Sequence, residues 1–161
     1  MRKTFLAAAL IAALAAPVAA SAATTFSLDV NLASYHTERW ARHDLNQHNL
    51  GLGATAHFNR DWSVSAGWYR NSYRRTSAYA LVNWTPLHGS LPLPAGWSIA
   101  AGAAAGLDSG YRRDELATEP FVAAALVRVI APADWSINLT AVPNAPGGRS
   151  GFIGMQVSMP F

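Results

Sequence analysis

From Thr25 onward, apolar positions recur every second residue in short runs broken by turn-forming residues. That period belongs to strands, whose successive side chains leave opposite faces. The last run is the clearest: Ile153, Met155, Val157, Met159 and Phe161 take one side, and Phe152, Gly154, Gln156 and Ser158 the other. The pattern predicts strands at 25–36, 49–58, 62–69, 77–84, 97–107, 120–129, 135–142 and 151–161. Turn chemistry separates them at Asn59-Arg60-Asp61, Pro86 to Gly96, Asp108-Ser109-Gly110, Pro132-Ala133-Asp134 and Asn144 to Gly148. No run after Thr25 approaches the roughly 20 apolar residues of a spanning helix. A chain that crosses hydrocarbon without such helices must close its strands into a barrel. Eight is also an even number, as in most bacterial outer-membrane barrels. The predicted class is all-β: an eight-stranded antiparallel transmembrane β-barrel of the outer membrane. A soluble β-sandwich alternates too, but an outward phenylalanine at residue 161 resembles the terminal signal by which barrel proteins are recognised for assembly.

The first residues add a route to that membrane. Arg2 and Lys3 precede an apolar run from Phe5 to Ala16, followed by Ala20-Ser21-Ala22. A charged start, a short hydrophobic core and an A-x-A site in that order predict a signal peptide over 1–22. The barrel domain is then 23–161, and the expected location is the bacterial cell outer membrane. With no cysteine, neither disulfides nor thiolate metal sites can hold the fold. Leaving out Arg2 and Lys3, the 12 basic residues become 10 against 9 acidic ones, a net charge of +1. The charge balance therefore gives no argument for nucleic acid as a partner.

All ten remaining basic residues are arginines, and their placement changes the picture. With both termini on the periplasmic side, segments 37–48, 70–76, 108–119 and 143–150 face outward. Arg39, Arg42, Arg70, Arg74, Arg75, Arg112, Arg113 and Arg149 lie in or beside them. A guanidinium forks two hydrogen bonds onto a phosphate, so such a rim suits a leaflet rich in lipid phosphate. It equally suits ordinary solvated loops. The predicted inward turns at 59–61 and 131–134 are short, and 85–96 is the long exception.

Candidate chemistry gathers at the outward bends Ser34 to Trp40, Arg42 to His48 and Tyr69 to Arg75. A serine hydroxyl becomes a useful nucleophile or proton-relay partner beside a base such as histidine. His36 and Ser72 lie on separate outward segments that a closed barrel can bring together. Strict alternation, however, groups His36 with Phe26, Leu28, Val30 and Leu32 on the lipid face, unless a bulge intervenes or the strand ends early. His43 and His48 lack a third ligand, so no metal site is expected.

At these residues the chain resembles the lipid A palmitoyltransferase (PagP) family. The likeness runs from about Asp29 to Phe161. It is carried by Tyr35-His36, the glycine-alternating Asn49 to Gly53, Tyr69-Arg70-Asn71-Ser72-Tyr73, Trp84-Thr85-Pro86-Leu87, Ile99 to Gly106, Val142-Pro143 and Met155 to Phe161. The resemblance implies an acyltransferase that moves a palmitoyl-type chain from a phospholipid donor to a lipid A (lipopolysaccharide) acceptor at the outer leaflet, as a monomer and without a cofactor. It places the reactive groups at His36, Asn71 and Ser72, with Arg70, Arg74, Arg112 and Arg113 holding lipid phosphates. Asn71 stands where the family has a carboxylate, and an amide cannot stabilise an imidazolium by charge. The family's helix before the first strand has no counterpart here. Pro120 and Pro143 match one of its lateral openings, while Asn31 and His48 stand at the other. The alternatives are a lipid A deacylase, in which His36 and Ser72 activate water, and a non-enzymatic structural barrel that binds lipopolysaccharide.

Overall fold

A computed structural model describes residues 24–91, 96–116, 118–146 and 149–161. The expected signal segment 1–22 lies outside the described residues. Eight strands form: β1 (Thr25–His36), β2 (His48–His57), β3 (Trp62–Arg70), β4 (Thr76–Ser90), β5 (Ser98–Asp108), β6 (Phe121–Ile130), β7 (Ser136–Val142) and β8 (Phe152–Pro160). Each pairs antiparallel with the next, and β8 returns to β1 to close an up-and-down barrel. Connections at one rim are long: 37–47, which holds a short helix α1 (Arg39–Asp44), then 71–75, 109–120 and 143–151. At the opposite rim the described connections are shorter, with 58–61 and the 3-10 turn Pro132–Asp134.

The molecule is built inside out. Among the described residues, sixteen polar or charged side chains are buried against only five hydrophobic ones, while sixteen large apolar side chains are exposed. In β8 the predicted alternation holds, with Ile153 and Met155 outward and exposed and Ser158 inward and buried. The outward face is a belt of Leu28, Leu52, Trp68, Trp84, Phe121 and Ile153. Trp62 stacks on Trp84 near the short-loop rim, at 5.8 Å between ring centroids.

The lower lumen is filled by one polar network. Asp29, fully buried, accepts from Thr55 Oγ1 at 2.6 Å and from Ser158 Oγ at 2.5 Å. Asn138 donates to Ser158 at 2.7 Å and to Gln156 at 2.9 Å, and accepts from Ser136 and from Arg128 Nε. Above it the Tyr79 ring crosses the lumen towards β2 and β3. A Cβ on Gly53 would stand 2.3 Å from the Tyr79 hydroxyl, and one on Gly67 2.8 Å from it. The two glycines face each other across β2 and β3, and their missing side chains leave the space the ring occupies.

Three departures from simple alternation matter. First, β4 runs on to Ser90, so the first half of the long turn expected over 85–96 is strand. A register shift between Trp84 and Leu87 accommodates Pro86, which has no N–H to offer the ladder. Second, β1 slips by one residue against β8 between Asn31 and Ala33, and Leu32 is the extra residue. A bulge of this kind exchanges the two faces beyond it. Third, β6 pairs with β7 only from Ala125 downward, opposite Ala141. Phe121 to Ala124 therefore face no β7 partner, and Thr118 instead satisfies Phe121, accepting from its N–H at 2.7 Å and donating to its carbonyl at 2.5 Å.

Candidate functional site

The bulge in β1 decides where the chemistry sits. Beyond it Tyr35 is exposed on the outer face and His36 is buried in the lumen opposite Phe152 of β8. The alternation expected to carry His36 outward is thus broken within its own strand. The end of β1 is pinned from several sides: Thr37 N–H donates to the Gly151 carbonyl at 3.0 Å, and Arg42 donates to the carbonyls of His36 (2.9 Å) and Thr37 (2.5 Å). The His36 ring packs against Phe152, with centroids 5.9 Å apart.

Ser72 comes from the bend between β3 and β4. The bend closes with Asn71 N–H on the Arg75 carbonyl at 2.8 Å and Arg74 N–H on the Asn71 carbonyl at 3.0 Å, with Arg74 in a left-handed conformation (φ 59°). Asn46 N–H ties the bend to the first loop by donating to the Ser72 carbonyl at 2.8 Å. The outcome is a buried contact of 3.1 Å between His36 Nε2 and Ser72 Oγ, across 36 residues of sequence. That distance is within reach for proton transfer between a base and a hydroxyl. His36 Nδ1 is buried, and no side chain among the described residues bonds to it.

Asn71 does something other than what its place beside Ser72 suggests. It is fully buried, and its Oδ1 accepts from the N–H groups of Tyr73 and Arg75, both at 3.0 Å. Its Nδ2 donates to Ser77 Oγ at 3.1 Å and to the Gly110 carbonyl at 3.0 Å. The whole amide is spent on shaping the bend and fastening it to the third loop. No hydrogen bond joins it to His36.

Asp108, at the end of β5, brings a carboxylate to this end of the lumen, although sequence reading assigned it to a turn. Tyr69 donates its hydroxyl to Asp108 Oδ2 at 2.5 Å, and the Tyr69 and Tyr111 hydroxyls are 3.2 Å apart. Tyr111 and Ser72 line the same cavity. Asp108 Oδ1 is buried with no hydrogen-bond partner among the described residues. Inward parity along Gly102, Ala104 and Gly106 would have placed Asp108 in the lumen, and the same parity on β3 places Tyr69 there. Tyr111, in a loop, carried no such signal. Burial pushes its phenol well above the ordinary tyrosine range, so it stays a neutral hydroxyl.

His36, Ser72, Tyr69, Tyr111 and Asp108 line one cavity of about 570 Å³ that descends from the long-loop rim. One of its walls is largely apolar, with Ala104, Val122, Ala124 and Leu126 from β5 and β6; the opposite wall carries Thr55, Ser63, Ser65 and Asn83. The cavity also reaches Ala123, Val142 and Pro143, which border the unpaired stretch between β6 and β7. Pro143 and the residue after Pro120 thus sit at the ends of that gap.

The arginines expected to hold phosphate all lie at this rim. Arg70, Arg74, Arg112 and Arg113 are exposed, and none of their guanidinium groups pairs with a carboxylate among the described residues. Arg75 is the committed one, paired with Glu115 and donating to the Gly110 carbonyl at 2.7 Å. No protein-family model matches the chain, and no curated protein matches it significantly.

Proposed function

We propose that this barrel sits in the bacterial outer membrane and carries out acyl-ester chemistry on lipids, transferring a fatty acyl chain from a phospholipid to lipid A at the outer leaflet. The observation that carries the reading is the buried His36–Ser72 contact of 3.1 Å at the head of a cavity. Ser72 Oγ attacks the donor ester carbon while its proton passes to His36 Nε2. The carbonyl electron pair becomes an oxyanion. Its return breaks the bond to the glycerol oxygen, which leaves with the proton from His36. The acceptor hydroxyl then repeats the sequence in reverse on the acyl-serine, restoring Ser72. General-base help of this kind is worth roughly 10²- to 10⁴-fold.

Three features support the membrane and lipid parts of the reading. The outward belt of exposed tryptophan, leucine and phenylalanine suits hydrocarbon, with aromatic side chains near both rims. The unpaired stretch at the top of β6 opens the wall beside the cavity, where a lipid tail can enter sideways. The four unpaired arginines supply phosphate contacts around the mouth.

The polar lower lumen favours hydrolysis as a second reading, because an acyl chain seated in the cavity meets Asn138, Arg128 and Thr55 where a fully apolar channel would keep water out. Mass spectrometry of lipid A and phospholipid from a host with and without the chain, alongside His36→Ala, tests both. A lipid A species heavier by one acyl chain, lost in the variant, supports transfer. Free fatty acid without an acylated acceptor points to the hydrolase. Unchanged lipids from protein shown to be folded by heat-shifted gel mobility would reject both and leave a barrel that binds lipopolysaccharide.

A further inference from the structure

Acyl chemistry at Ser72 needs a donor for the oxygen that becomes negative, and the obvious candidates are occupied. The Asn71 amide is consumed by Ser77, Gly110 and its own bend. The Arg75 guanidinium is consumed by Glu115 and Gly110. Tyr111 lines the same cavity as Ser72, and its hydroxyl contacts the Tyr69 hydroxyl, with no carboxylate of its own among the described residues. We infer that Tyr111 is the oxyanion donor of this site, positioned by the Tyr69–Asp108 pair.

The inference rests on the acyl-ester reading of His36 and Ser72. Its geometry follows from counting protons. Each phenol has one. Tyr69 gives its proton to Asp108 Oδ2 at 2.5 Å, which turns its lone pairs towards Tyr111, 3.2 Å away. In the resting site Tyr111 therefore donates to Tyr69. When Ser72 attacks an ester, the new oxyanion is a better acceptor than a neutral phenol, by about twofold in hydrogen-bond strength. The Tyr111 O–H swings to it without movement of the ring. That ring is held edge-on against Tyr73, with centroids 6.1 Å apart and planes at 90°. Arg75 in turn lies over the Tyr73 face at 5.2 Å. A donor fixed before the reaction begins loses no reorganisation energy during it. Tyr111 would thus touch the reacting oxygen, whereas Tyr69 and Asp108 are positioning residues.

The test uses the full chain, folded in detergent, and a fluorophosphonate probe whose phosphonyl oxygen takes the place of the ester's. Labelling abolished by Ser72→Ala locates the reaction. Tyr111→Phe keeps the ring and its packing, and is expected to slow labelling of Ser72 about 10²-fold. Heat-shifted gel mobility should be unchanged. Asp108→Ala is expected to slow labelling as well, while Asp108→Asn restores most of the rate, because its amide still bonds to Tyr69 and keeps the chain of hydroxyls directed towards Ser72. A merely structural role would not distinguish the asparagine from the alanine in a barrel that stays folded. Ser72 labelling at the wild-type rate in Tyr111→Phe overturns this inference and leaves the acyl-ester reading standing. Wild-type protein that is not labelled at Ser72 overturns both.

Discussion

The two ends of the lumen are lined by the same kinds of side chain and put them to opposite uses. In the lower lumen, Asp29, Thr55, Ser158, Asn138 and Ser136 are joined in one chain of hydrogen bonds. At the long-loop rim, no side chain among the described residues bonds to the buried His36 Nδ1, and Asp108 is held through Oδ2 by Tyr69. Buried polar groups ordinarily find partners, since leaving one unmade costs about 1–3 kcal/mol. The lower network has the form of a structural staple. The groups at the mouth line the cavity, where a bound molecule can reach them.

That contrast is open to attack from both sides. The largest effect is expected from Asp29→Ala, which removes the buried acceptor for Thr55 and Ser158 in the lower lumen. Unfolding in urea, followed by heat-shifted gel mobility, should show a loss of about 2–4 kcal/mol, with Ser72 reactivity unchanged in the folded fraction. A shift within about 0.5 kcal/mol would mean that the lower network is not a staple. Asn71→Asp comes next. It installs the carboxylate that the family resemblance implies, yet it sets an oxygen against the Gly110 carbonyl where Nδ2 now donates. The expected result is a stability loss of about 1–3 kcal/mol and lower activity. A gain in activity would instead give residue 71 a role in the chemistry. The smallest effect is expected from Arg112→Gln with Arg113→Gln. These exposed, unpaired charges should raise KM for an anionic lipid a few-fold at low salt, and the difference should fade at high salt as the charges are screened. A difference that persists undiminished in salt would assign those arginines to something other than phosphate attraction.

Much of this was legible in the sequence, for reasons that separate the elements. Strands with one apolar and one polar face announce themselves, so β8 and β3 were placed to within a residue or two. His36 and Ser72 could be paired because a short closed barrel forces the outward bends to meet. The end of β4 was missed because Pro86 reads as a terminator, although at a register shift a strand can carry a proline. The direction of Asn71 is not legible, because neighbourhood in sequence says nothing of it: Ser72 faces the imidazole and the preceding side chain turns away into the bend. Asp108 looked like a turn residue because it precedes Ser109 and Gly110, yet its side chain belongs to the strand's inward set. Tyr111 had no period to read.

A strand taken two residues at a time has a reading frame, and Leu32 shifts it. Below Leu32, odd positions of β1 such as Asp29 face the lumen; above it, even positions such as Ser34 and His36 do. The cost of a change in length therefore depends on where it falls. Deleting Leu32 would leave Ser34 and His36 on their present side with respect to β8, merely straightening the strand. Deleting Ser34 would send the imidazole out of the lumen and bring Tyr35 in, with every remaining residue type unchanged. One spare leucine keeps the His36 frame and the Asp29 frame in register on a single strand.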